Sequence, residues 1–272
     1  MKKSQIIVLV LAVAVIGLLY LLPRVVVDNE EGSSGIADEA VKTAPAVEEM
    51  HDAPISAEAR ETLNSIALRL KNEVDREKFV ALADTLAALY TQAGRFDSAA
   101  YFMEQAALKV ETIERWEKAG IAYYEAYTFA MSEQKVAFLA DKTRSYLNKV
   151  LEKDPKRLDL KTKVAMTYVS SSNPMQGITM LREILEEDPT NEDALFNMGV
   201  LSMQSGQYKR AAERFEELVR YYPENLQGQF YLGVSYFESK QNNKAKKQFQ
   251  QVQSMTTDPM VLASVESYLE RL

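Results

Sequence analysis

Residues 192–225 read EDALFNMGVLSMQSGQYKRAAERFEELVRYYPEN. Leu195 and Met198 on one side of Gly206, and Ala211, Phe215 and Leu218 on the other, recur at helical spacing. The stretch therefore reads as two helices joined by a tight turn at Gly206, with Tyr208 opening the second and Pro223 closing it. The same punctuation recurs upstream. Pro155, Pro189 and Pro223 are spaced by 34 residues, and each follows a charged or aromatic pair: Lys153-Asp154, Glu187-Asp188 and Tyr221-Tyr222. Proline cannot donate within a preceding helix, so each one ends a helix and opens the next element. A fixed period of this length is the mark of stacked helix pairs that share one core.

Neighbouring windows carry the same residue types in the same slots. Residues 226–259 supply Leu232, Gly233, Tyr236, Ala245, Phe249 and Val252, with Thr257 in the proline slot and Pro259 two residues later. Residues 158–191 supply Val164, Ala165, Tyr168, Gly177, Leu181, Ile184 and Pro189. Residues 80–113 supply Leu86, Ala87, Tyr90, Gly94, Phe96, Ala99, Met103 and Ala106, with Glu111 in the proline slot. This pattern resembles the tetratricopeptide repeat family over roughly residues 75–259. The family unit is a 34-residue helix–turn–helix with a large residue at slot four and Leu-Gly at seven and eight. Tyr follows at eleven, a small residue at twenty, an aromatic at twenty-four and Pro at thirty-two. Ser202 stands where the pattern has Tyr. The resemblance implies an all-α fold: a right-handed superhelical solenoid of such repeats. In it, small residues at eight and twenty let the paired helices approach, and large ones fill the space between units.

One unit is expanded. Trp116, Ala119, Gly120 and Tyr123 fit slots four, seven, eight and eleven counted forward, whereas Thr143, Leu147 and Val150 fit twenty, twenty-four and twenty-seven counted back from Pro155. The two registers differ by 11 residues, so this unit runs 113–157 and predicts lengthened helices near 113–131 and 134–152. The remaining units are expected at about 80–112, 158–191, 192–225 and 226–259. A leading helix is expected over 56–72, capped by Ser56 and apolar along Ala59, Leu63, Ile66 and Leu70. A capping helix is expected over 260–272, with Val261, Leu262, Val265, Tyr268, Leu269 and Leu272 on one face.

The array is preceded by two other segments. Residues Ile6–Leu22 form 17 uncharged residues, aliphatic or Ala save for Gly17 and Tyr20. A helix of that length spans about 25 Å, and Lys3 and Arg24 can snorkel at its ends. This predicts a single transmembrane anchor within 1–27. Lys2 and Lys3 place the N-terminus in the cytoplasm and the array in the periplasm or another extracytoplasmic space, beyond an inner membrane. A cleavable signal is the competing reading, but Ala12 and Ala14 lie inside the apolar run, too early for a cleavage site. Residues 28–55 then hold eight acids against Lys42 alone, around Gly32-Ser33-Ser34-Gly35, and read as a disordered tether spanning roughly 30 Å.

Composition narrows the function. Outside residues 1–24 the chain carries 29 basic and 39 acidic residues, a balance that repels phosphate backbones and excludes general nucleic-acid binding. No cysteine exists, and His51, the single histidine, lies in the linker, so no cofactor, metal or catalytic residue is assigned. The acidic runs Glu186-Glu187-Asp188 and Glu213, Glu216, Glu217, and the basic cluster Lys240, Lys244, Lys246, Lys247, read as solvated faces. In the family, slots two, five, nine, twelve and thirteen of the first helices line a concave groove. Those slots carry Thr162, Met166, Val169 and Ser170. They then carry Phe196, Val200, Met203 and Gln204, and finally Phe230, Val234, Phe237 and Glu238. Glu117, Ile121 and Tyr124 join from the expanded unit. An apolar lining of this kind fits a partner helix or extended peptide rather than a small molecule. The expectation is a non-enzymatic, membrane-tethered scaffold that binds another protein, resembling the anchored repeat proteins of bacterial envelopes. Self-assembly of the arrays into a homo-oligomer is the alternative.

Overall fold

The computed structural model describes residues 55–272. The expected anchor within 1–27, and the acidic linker apart from Ile55, lie outside the described residues. Ile55 itself packs against the cluster of Leu63, Leu70 and Val80 and so belongs to the folded unit. Among the described residues there are twelve helices and no strand, and no helix long and apolar enough to cross a membrane.

The helices are α1 (Ala57–Asn72), α2 (Arg76–Gln92), α3 (Phe96–Lys109), α4 (Ile113–Thr128), α5 (Glu133–Leu151), α6 (Leu158–Val169), α7 (Pro174–Glu187), α8 (Glu192–Gln204), α9 (Tyr208–Tyr221), α10 (Leu226–Glu238), α11 (Asn242–Met255) and α12 (Pro259–Leu269). Their starts are chemically marked. The side chains of Ser56, Asp75, Thr112, Ser132, Asn191, Asn225 and Asp258 each accept a first-turn backbone N–H, and each such cap contributes about 1 kcal/mol. Helices contact their chain neighbours, and beyond these first helices meet first helices: α6 with α8, α8 with α10, and α10 with α12.

Close approach within a pair is set by slot eight. A methyl group added at Gly199 would meet the ring of Phe215 at 2.6 Å, and one at Gly233 would meet Phe249 at 2.7 Å. Phe215 and Phe249 are fully buried, each side chain contributing about 2–3 kcal/mol from apolar burial alone. Gly177 is tighter still, because its added carbon would lie 2.3 Å from the backbone oxygen of Ala165.

The expanded unit differs from expectation at its centre. Its first helix stops at Thr128 rather than near residue 131. Ser132 caps the next helix by accepting from Lys135 N, which fixes the start of α5 and leaves residues 129–132 as a connection. Phe129 stacks on Phe96 at 4.4 Å and anchors that connection to α3. In the leading helix Leu63 and Leu70 are buried and Ile66 is half-buried, but Ala59 is exposed, since α1 has only α2 to pack against over its first turn.

Candidate functional site

The face built by first helices divides into two parts. Toward the C-terminus it is covered by the chain itself. Phe230 and Phe237 receive the edge of Tyr268 at 6.1 and 5.2 Å, and the Arg271 guanidinium lies 4.8 Å over the Phe237 ring. Val234 is 6% and Phe237 9% exposed. Both were expected to line an open groove. They are core instead, because α12 uses Tyr268 to fill the position a further unit would occupy. Thr162, another expected lining residue, is also buried, its hydroxyl donating to Leu158 O.

Earlier in the array the same slots stay half-exposed. Phe196, Val200 and Met203 edge the cluster around Phe215, with Phe196 edge-on to Phe215 at 6.0 Å and to Tyr231 at 5.7 Å. Met166 edges a separate cluster with Leu181 and Met198, and Ile121 edges a third with Leu147 and Leu160. Val169 stands against Gly177. Tyr124 tilts against Tyr127 at 5.6 Å and has the Lys163 ammonium 5.6 Å from its ring centroid. Burial pushes its phenol up to about 12, with the neighbouring Tyr127 and Asp193 adding to the effect. The Tyr127 hydroxyl donates to Met166 O and is hydrogen-bonded to the Ser170 hydroxyl, joining α4 to α6. Residues Ile121, Tyr124, Met166, Val169, Phe196, Val200 and Met203 thus remain half-exposed on three first helices, and Phe230, equally half-exposed, packs against Tyr268.

Polar junctions between units were not visible as such in the sequence. Glu104 on α3 accepts from Tyr123 and Tyr146 hydroxyls and from the Lys142 ammonium, all at 2.7 Å. Glu216 on α9 accepts from Tyr236 at 2.5 Å and Lys244 at 3.2 Å. Two members of the expected solvated charge faces, Glu216 and Lys244, therefore do structural work. Glu104 and Glu216 occupy the same slot, twenty-five. Their donors share slots as well: Tyr123 and Tyr236 at eleven, Lys142 and Lys244 at nineteen. Burial pushes the Glu104 carboxyl up, but the bonds from Lys142, Tyr123 and Tyr146 outweigh it and hold the group below its ordinary range. The Tyr236 bond, aided by Lys244, lowers Glu216 against a smaller effect of burial. Elsewhere Arg157 forks onto Glu117 at 2.7 and 3.0 Å within the expanded unit, and one guanidinium nitrogen of Arg115 donates to both oxygens of Asp84 at 2.6 and 2.8 Å, between units. Among the described residues no group of three His, Cys, Asp or Glu side chains is placed to hold a metal ion.

Comparison with known proteins agrees with this architecture. A family profile described as tetratricopeptide repeat matches residues 202–264, from the end of α8 into α12. No curated protein sequence matches the chain. Among solved structures, a tetratricopeptide repeat protein from Parabacteroides merdae is similar at TM-score 0.56 and 16% identity, over 78% of this chain and 79% of that one. MamA is similar at TM-score 0.47 and 15% identity, over 65% and 91%. YrrB, described as a tetratricopeptide repeat protein with an unusual peptide-binding site, is similar at 0.44 and 15%, over 75% and 99%. Identities this low speak to fold alone. The profile match identifies tetratricopeptide repeat sequence over residues 202–264, and the likeness to the Parabacteroides merdae protein extends the same fold over 78% of the chain.

Proposed function

We propose that this chain is a non-enzymatic scaffold that holds a protein partner against its first-helix face while tethered to a membrane. Tetratricopeptide arrays in general serve as protein-interaction scaffolds. The observation that carries the reading here is the set of half-exposed apolar side chains on successive first helices: Tyr124 on α4, Met166 and Val169 on α6, Val200 and Met203 on α8. Their spacing suits a partner helix or extended segment, and the two methionines can adapt to its side chains. The tether is Ile6–Leu22, and the basic residues preceding it favour an extracytoplasmic array.

The test is a crosslinking pull-down from carbonate-washed membranes, comparing the full chain with Val169→Ser/Met203→Ser. These two side chains sit at the edge of the core, so thermal stability should change little. Recovery of the partner is expected to fall several-fold. Equal recovery would sink the binding face, and loss of the chain into the carbonate wash would sink the tether.

A further inference from the structure

The junction between residues 158–191 and 192–225 breaks a rule that two other junctions obey. At those two, a Tyr in slot eleven and a Lys in slot nineteen of one unit grip a Glu in slot twenty-five of the unit before. Here the three slots hold Ser202, Arg210 and Arg182. The ring is missing, and a cation stands where the carboxylate would be. Among the described residues no side-chain hydrogen bond or ion pair joins α7 to α8 or α9. What remains is an open cleft of about 450 Å³ lined by all three residues.

Its apolar wall is Ile178, Met198 and Leu201. The charged part of the lining holds Arg182, Arg210 and Arg214 against Glu213 and Glu217. Glu217 is engaged by Arg214 at 3.4 Å, and Arg210 donates only to the neutral Gln207 at 2.9 Å. Among the described residues Arg182 and Arg210 thus line the cleft without a paired carboxylate, and the lining carries one positive charge in excess. Guanidinium groups in that arrangement favour a carboxylate held by forked hydrogen bonds.

We propose that this cleft receives from a partner protein the two groups that the junction lacks: an aromatic side chain on the apolar wall and an adjacent carboxylate between Arg182 and Arg210. The occupant is an acidic-aromatic segment of another protein. The site shares no residue with the first-helix face, because its walls come from the second helices α7 and α9 and from Met198, Leu201 and Ser202 of α8 rather than Val200 and Met203.

The experiment measures binding of a fluorescent alternating Glu-Tyr decapeptide to the full chain by anisotropy, with alternating Lys-Tyr and Glu-Ala decapeptides as controls. The comparison protein is Ser202→Tyr/Arg182→Glu, which restores at this junction the residue types found at the other two and so fills the cleft without threatening the fold. Expected are preference for Glu-Tyr over both controls, a loss of about tenfold or more in the double variant, and a higher melting temperature for that variant. Equal binding by the filled variant, equal binding of Lys-Tyr, or no Glu-Tyr binding at millimolar peptide would overturn the proposal. So would binding that emerges only after deletion of residues 28–54, since the occupant would then be the chain's own acidic segment. Val169→Ser/Met203→Ser should leave peptide binding intact, which separates failure of this site from failure of the first-helix face.

Discussion

Glu104 is 8% exposed and would be costly to bury alone. Three donors make its charge tolerable, and the net effect is a carboxyl held below its ordinary value. A lowered folded-state value means that the stability it contributes is present above the unfolded carboxylate range. That stability is lost as pH falls through the lowered value. Glu104→Gln should therefore cost about 1–3 kcal/mol at neutral pH and flatten the acid limb of stability against pH. Urea titrations at a series of pH values from neutral to acid check this, and an unchanged acid limb would contradict it. The donors were half legible. Tyr123 falls in a slot the repeat marks for a large residue, so its position was readable but its bond was not. Glu104 lies 19 and 42 residues from its two tyrosines, and at that separation it looks like any surface acid on a second helix.

Helix pairs were more legible than the turns that join them. Gly94 and Gly206 take φ of 70° and 71° at slot fifteen, between the helices of a pair. Slot fifteen of the last unit is Lys240, which adopts φ 63° without glycine's freedom. A side-chain-bearing residue there costs about 1–2 kcal/mol, partly offset by the entropy a glycine would lose. Lys240→Gly is thus expected to stabilise the array by roughly 0.5–1 kcal/mol, read from denaturant midpoints at constant slope. A lower midpoint would mean that the Lys240 ammonium, 5.9 Å from the Phe237 ring centroid, matters more than its backbone. The lengthened α4 and α5 followed from the clash of two registers. The stop at Thr128 did not, because it depends on Ser132 capping its neighbour and on Phe129 finding Phe96, neither of which has a periodic signature.

At the scale of the whole array, the period announced the fold several times over, which is why single departures such as Ser202 or Thr257 did not obscure it. The candidate face was less readable. Slot arithmetic placed Val234 and Phe237 on a groove, but a helix outside the period, α12, decides whether that stretch is open, and it closes it. Repeat arrays behave as links in series, each held by its own core and by its junctions with neighbours. Between repeat units three junctions are bolted by charge-assisted bonds, from Lys142 to Glu104, Arg144 to Thr167 and Lys244 to Glu216, and among the described residues the junction beside Ser202 has none. Pulled from its ends in an optical trap, the array should part first between α7 and α8, releasing 192–272 from the rest. Ser202→Tyr/Arg182→Glu should move that first rupture elsewhere; an initial break between α3 and α4 would contradict this. A protein fixed at one end and loaded at the other would then feel traction first as a gaping of this seam, making it the place where mechanical tension becomes a change of shape.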